Sequence, residues 1–303
     1  MDYFRFGKKL LLLAFPFLLL AAFVAWTDPF CLLQTPFIER AIKEKAAFPL
    51  NSPLARLIEF SHHPGTNILL GDSRMGLLSP DEIEKASGIH FLNMSYGGAS
   101  LNEVVDTFWA TNRANALQRV YMGIGFSLYN DYNFTNRTEP VQSIIASPLL
   151  YFTNRTVLKG AWLTALLRYG GRDPEIGKPR DRQTLWAEEL QAHSNWSQRY
   201  MAPTRYRARL QEISEYSRKH GIELRFIIFP GEAELQAIPH RYGLDAEYAA
   251  FKRDLAAFGR VYDYDIPSAY SADEANYADP VHFREPVEHM IIQDIWGSPK
   301  PVQ

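Results

Sequence analysis

A single cysteine, Cys31, stands in 303 residues, so no disulfide can form within the chain. Cysteine usage therefore leaves the compartment open. Cys31 is also a poor lipoprotein cysteine, because bulky Phe30 precedes it. Neither sign of charge dominates: 32 basic and 34 acidic residues leave −2 at neutral pH, without the basic footprint of nucleic-acid binding. No Gly-x-Ser-x-Gly elbow is present, which disfavours the α/β-hydrolase arrangement of a catalytic serine. Gly123-Ile124-Gly125 lacks the third glycine of a dinucleotide fingerprint. The histidines offer no evident metal site. Adjacent His62 and His63 do not face the same way on regular structure, and Glu285 with His289, spaced i, i+4, lacks a third ligand. No cofactor is expected.

One long apolar run is present. Leu10 to Trp26 is unbroken, and roughly 17 residues at about 1.5 Å each just cross a bilayer core. Arg5, Lys8 and Lys9 precede it, which keeps the N-terminus cytoplasmic. A cleaved signal peptide is the rival reading, but the run is long for one and Phe23 spoils a small-x-small site with Ala25. The expectation is a single-pass anchor in the cell (inner) membrane over 1–27, a connector over 28–64, and a domain over 65–303 that lies outside the cytoplasm.

That domain begins with Asn67-Ile68-Leu69-Leu70-Gly71-Asp72-Ser73. A short apolar run stopped by Gly-Asp reads as a buried parallel strand ending in a tight turn. Ligands of open α/β sheets sit beyond the carboxyl ends of such strands. Gly-Asp-Ser is equally an ordinary turn sequence, and only the far end of the chain changes the balance. There Asp279-Pro280-Val281-His282 precedes the last helix. A serine needs a histidine to take its proton, and the histidine needs a carboxylate to hold its tautomer.

The early Gly71-Asp72-Ser73 and the late Asp279-x-x-His282 resemble the first and last motifs of the SGNH (GDSL-type) hydrolase family. Asn93-Met94-Ser95-Tyr96-Gly97-Gly98 is similar to its middle motif. The resemblance spans roughly 67–293. It implies a three-layer α/β/α sandwich with a parallel, doubly wound, flavodoxin-like sheet, a catalytic triad of Ser73, His282 and Asp279, and ester hydrolysis or acyl transfer. It also implies an oxyanion hole from the Ser73 and Gly98 amides. The family's third donor is an Asn in Gly-x-Asn-Asp. Here Gly125-Phe126-Ser127-Leu128 departs from that pattern, leaving Ser127 or Asn130 as the third donor, or neither.

The remaining pattern alternates strands and helices, as a parallel doubly wound sheet requires. Strands are expected at 89–94, 119–125, 222–229 and 261–264. Helices are expected at 80–88, 101–117, 203–220, 246–258 and 285–296. Ser79-Pro80-Asp81-Glu82 is a helix start with cap, proline and acids in order. Residues 133–202 do not match the core and read as an inserted helical cap, with a helix pair at 141–151 and 156–169 and a loop at 170–182.

Anchor plus cap resembles the SGNH proteins that accompany membrane-bound O-acyltransferases, DltD-like or alginate-acetylation-like. That resemblance implies an acylated glycan or other surface polymer as substrate and a membrane-bound O-acyltransferase as partner. Two other readings stay open: a non-catalytic scaffold of such a complex, and a lipase or lysophospholipase.

Overall fold

The computed structural model describes residues 3–170 and 181–297, with side chains from Leu12 onward. In chain order its helices are α1 (Tyr3–Thr27), α2 (Arg40–Ala47), α3 (Ser52–His62), α4 (Pro80–Ser87), α5 (Leu101–Ala114), α6 (Val141–Ala146), α7 (Pro148–Thr153) and α8 (Arg155–Tyr169). They continue with α9 (Arg182–Gln198), α10 (Thr204–His220), α11 (Ala233–Gln236), α12 (Ile238–Arg241), α13 (Asp245–Phe258), α14 (Ala269–Ala272) and α15 (Glu285–Trp296). The strands are β1 (Asn67–Leu70), β2 (Leu92–Asn93), β3 (Arg119–Gly123), β4 (Glu223–Ile228) and β5 (Arg260–Asp263).

Two compact units form, Met1–His63 with Arg137–Lys178, and Pro64–Asn136 with Pro179–Gln303. Residues 28–63, expected as a connector, pack with 137–178 in the first unit. The insertion expected at 133–202 is thus divided, and α9 belongs with the sheet. Most of the loop expected at 170–182 lies outside the described residues.

In the first unit α1 covers the apolar run, whose start at Leu10 precedes the described side chains. The charges used to orient it, Arg5, Lys8 and Lys9, lie there too. Among the described residues no helix is long and apolar enough to cross a membrane. The turn after α1 is built on Asp28. Its buried carboxylate accepts the Leu33 and Thr35 N–H groups at 3.1 and 3.0 Å, with the buried Lys43 Nζ 3.5 Å away. Helix α8 packs closely on this turn at Gly160, where a Cβ would meet Pro29 at 3.2 Å and Ala47 at 3.4 Å.

The second unit is a five-stranded, all-parallel sheet in the order β2-β1-β3-β4-β5. Alternate strand positions face opposite layers. Leu69, Tyr121 and Ile227 pack with Ile83 of α4 and with Val287, Ile291, Ile292 and Trp296 of α15. The other face of β1, β4 and β5 is covered by α5, α10 and α13 respectively. The result is the three-layer, doubly wound arrangement. Its strand order reverses at β1/β3, and the crevice at such a switch point is where ligands bind.

Local chemistry fixes the helix ends. Ser79 caps α4 by accepting Glu82 N–H, and Gly88 closes it at φ +71°. Ser100 and Glu103 form a reciprocal capping box at α5. Three strands are shorter than expected, β4 by one residue at each end. β2 is confined to Leu92–Asn93, and β3 stops at Gly123 rather than Gly125.

Candidate active site

β1 delivers Ser73 through a turn that requires glycine at position 71. At Gly71, φ is +156°, and a Cβ would lie 2.9 Å from Met75 Cβ and 3.0 Å from the Gly123 carbonyl of β3. Glycine is therefore required for the two strand ends to approach. Asp72 then folds inward. Its carboxylate accepts the Arg74 backbone N–H at 2.9 Å and grips the Arg74 guanidinium through Nε at 3.1 Å and Nη2 at 2.7 Å. Both side chains are buried. Burial opposes ionisation of each, yet the charge and bonds of its partner hold Asp72 below its ordinary value and Arg74 above its own. Ser73, between them, is left half-buried.

Asp279 and His282 come from the loop before α15. Asp279 Oδ1 accepts the backbone N–H groups of Val281 at 2.9 Å and His282 at 3.0 Å. Its Oδ2 lies 2.7 Å from His282 Nδ1, and His282 Nε2 lies 2.7 Å from Ser73 Oγ. A serine, an imidazole and a carboxylate thus form one continuous chain of hydrogen bonds. Burial disfavours the imidazolium, but the bond and charge of Asp279 outweigh it and raise the His282 pKa above 6.5. Burial likewise opposes the Asp279 charge, and the His282 side chain with the two backbone N–H groups holds that carboxyl below 3.8.

Asn93 ties the middle motif to this turn. Its amide donates to the carbonyls of Met75 (3.1 Å) and Leu78 (3.3 Å) and accepts from Ser95. Tyr96 N–H donates to Gly71 O, so Gly97 and Gly98 leave the sheet beside the Ser73 turn. Gly98 is exposed with φ +62°, a conformation that favours glycine. Asn130 is buried and committed elsewhere. It donates to Trp196 O at 3.1 Å and accepts the N–H groups of Tyr132 and Met201. Ser127 lines a small cavity of about 40 Å³ with Arg74, His193, Trp196, Tyr248 and Asp265. Neither Ser127 nor Asn130 bonds to Ser73, His282 or Asp279.

Several residues of this region went unread in the sequence. Arg74 lies against Gly125, where a Cβ would collide with Nη2 of the guanidinium. The guanidinium thus fills the space beside Gly125, two residues past the end of β3. His193 comes from α9, a helix not expected at all. Burial and the neighbouring Arg74 push its pKa down to about 3. Asp265, bound by Tyr248 OH at 2.6 Å and Gln236 at 2.9 Å, is raised by burial. The adjacency of Arg74 to Ser73, and the spacing of Trp186, Leu190 and His193, were the available signals. Among the described residues no group of three or more His, Cys, Asp or Glu side chains is placed to hold a metal.

No protein-family model matches the chain, and no curated protein matches it. Solved structures do. A Streptococcus pneumonia protein provisionally named a platelet activating factor aligns at 10% identity and TM-score 0.41, over 80% of this chain and 88% of that one. A Desulfitobacterium hafniense DCB-2 protein provisionally named a lipolytic protein of the G-D-S-L family aligns at 11% identity and TM-score 0.36, over 76% and 97%. At these scores neither likeness bears on activity.

Proposed function

We propose that this chain is a serine esterase or O-acyltransferase of the SGNH (GDSL) type. The observation that carries the reading is the continuous set of 2.7 Å contacts from Ser73 Oγ through His282 to Asp279. Ser73 Oγ attacks the acyl carbonyl as His282 Nε2 takes its proton. Asp279 holds the Nδ1–H tautomer and stabilises the imidazolium. The Ser73 and Gly98 amides are assigned to the oxyanion. Collapse returns the proton from His282 to the departing alkoxide and leaves an acyl-Ser73 ester. Water, or an acceptor hydroxyl deprotonated by His282, then takes the acyl group and restores Ser73.

We assign the chain to a membrane, with α1 as its anchor and the sheet domain outside the cytoplasm. Leu12, Leu13, Phe15, Phe17, Leu18 and Leu19 support this, since each is more than half exposed and would otherwise face water. An acylated surface polymer as substrate, and a membrane-bound O-acyltransferase as neighbour, follow from the family resemblance alone.

The test is turnover of short-chain aryl esters by the full-length protein in nanodiscs, with and without a polysaccharide acceptor. Ester cleavage abolished in Ser73→Ala is expected, and acyl label on the polymer identifies transfer. Preference for long-chain esters would point to a lipase. No turnover by well-folded protein would favour the scaffold reading, which the altered segment after Gly125 motivates.

A further inference from the structure

The outer face of α8 has a composition that the catalytic reading does not use. Arg155, Lys159, Trp162 and Tyr169 are all exposed, with Leu166 half-buried between the last two. Their spacing of i, i+4, i+7 and i+14 places them on one stripe of the helix. The opposite stripe, Val157, Gly160, Ala161 and Thr164, is buried within the unit. Helix α7 adds Leu149 and Leu150, exposed by 72% and 46%. Neither Arg155 nor Lys159 pairs with a carboxylate among the described residues. Leaving this much apolar and aromatic surface in water forfeits burial energy, and two unpaired cations beside it exclude an ordinary core contact.

We propose that this face of α7 and α8 lies on the surface of an anionic lipid bilayer, as a second contact beside α1. Trp and Tyr with Lys and Arg on one helix face match the membrane interface, where the rings sit at headgroup level and the cations meet anionic lipid. Continuity favours lipid over a protein partner. Helix α1 packs against both α7 and α8 within the same unit. Trp26, on the last turn of α1, stacks on Tyr169 with ring centroids 5.3 Å apart. The stripe therefore begins where the exposed apolar surface of α1 ends. The inference rests on the anchored reading only in that α1 brings this face to the bilayer.

The experiment uses spin labels on the full chain in vesicles of phosphatidylglycerol and phosphatidylethanolamine, with Cys31→Ser as background. Labels go at Leu150→Cys, at Leu18→Cys in α1, and at Glu215→Cys on the exposed face of α10. Collision with oxygen and with a water-soluble nickel complex is measured at each. The expected oxygen-to-nickel ratio at position 150 exceeds that at 215 severalfold. It falls toward the value at 215 when Arg155→Glu and Lys159→Glu are combined. A lipid signal at 150 with an aqueous one at 18 keeps this face and sinks the anchor. An aqueous signal at 150, whatever position 18 shows, overturns the inference. Shielding of 150 from both colliders marks a protein contact and overturns it as well.

Discussion

His282 Nε2 lies 2.7 Å from Ser73 Oγ, although 209 residues separate the two in the chain. The parallel sheet makes this meeting possible. Ser73 leaves the carboxyl end of β1, next to the strand order's reversal, and the loop before α15 returns to that same edge. The separation is within direct proton-transfer reach without a bridging water.

In the proposed triad Asp279 holds its neighbour. Asp279→Asn keeps the shape but no longer fixes the productive tautomer. A fall in kcat of about 10⁴-fold is expected, by the magnitude known for such triads. Steady-state kinetics check it; KM should move little.

Activity should fall on acidification. In the proposed mechanism His282 must be neutral to accept the serine proton, and its pKa is raised above 6.5. The acid limb of kcat/KM is therefore expected above pH 6.5. Stability follows the opposite rule for this group. The raised pKa gives stabilisation that is complete below 6.5 and lost as pH rises through the folded value. Asp279, lowered from 3.8, stabilises above that value and less as pH falls through its folded pKa. Thermal melts of wild type and His282→Gln across pH 4 to 9 check the sign for His282. His193, pushed down to about 3, stays neutral across this range, so His193→Gln should leave the acid limb in place.

The buried Asp72–Arg74 pair should be costly to break on one side. Arg74→Met leaves a buried carboxylate alone, at about 3–5 kcal/mol. Gly125→Ala drives a Cβ into the guanidinium and should cost roughly 1–3 kcal/mol. Because both act on one group, the double variant should cost less than the sum. Denaturant titrations measure the coupling.

Asn130 distinguishes two roles. Its bonds to Trp196, Tyr132 and Met201 hold the segment after α9. Asn130→Ala should lower stability by about 1–3 kcal/mol while leaving kcat within a few-fold. An oxyanion donor would instead lose about 10²–10³ in kcat.

Much of this was legible in the sequence because the signals were local. The Leu69-Leu70-Gly71 strand stop and the Ser79-Pro80 helix start each act within a few residues, and each stands as read. The Asp279–His282 contact was readable because an Asp-x-x-His loop fixes both side chains by short-range bonds, whereas the meeting of His282 with Ser73 comes from the fold. Helix α9 was not, since only Trp186 and Leu190 mark its inner side and a Gly- and Pro-rich stretch precedes it. Nor was the part played by Arg74. A charge in a turn looks solvated, and only the fold reveals that Gly125 clears a space for it.

The most direct measurement is covalent labelling of the full-length protein by a fluorophosphonate, with the modified peptide read by mass spectrometry. The expected result is one label per chain on Ser73, lost in Ser73→Ala and slowed by orders of magnitude in His282→Ala. Label on another serine, or a rate on Ser73 indifferent to His282, would contradict a catalytic pairing of these two residues.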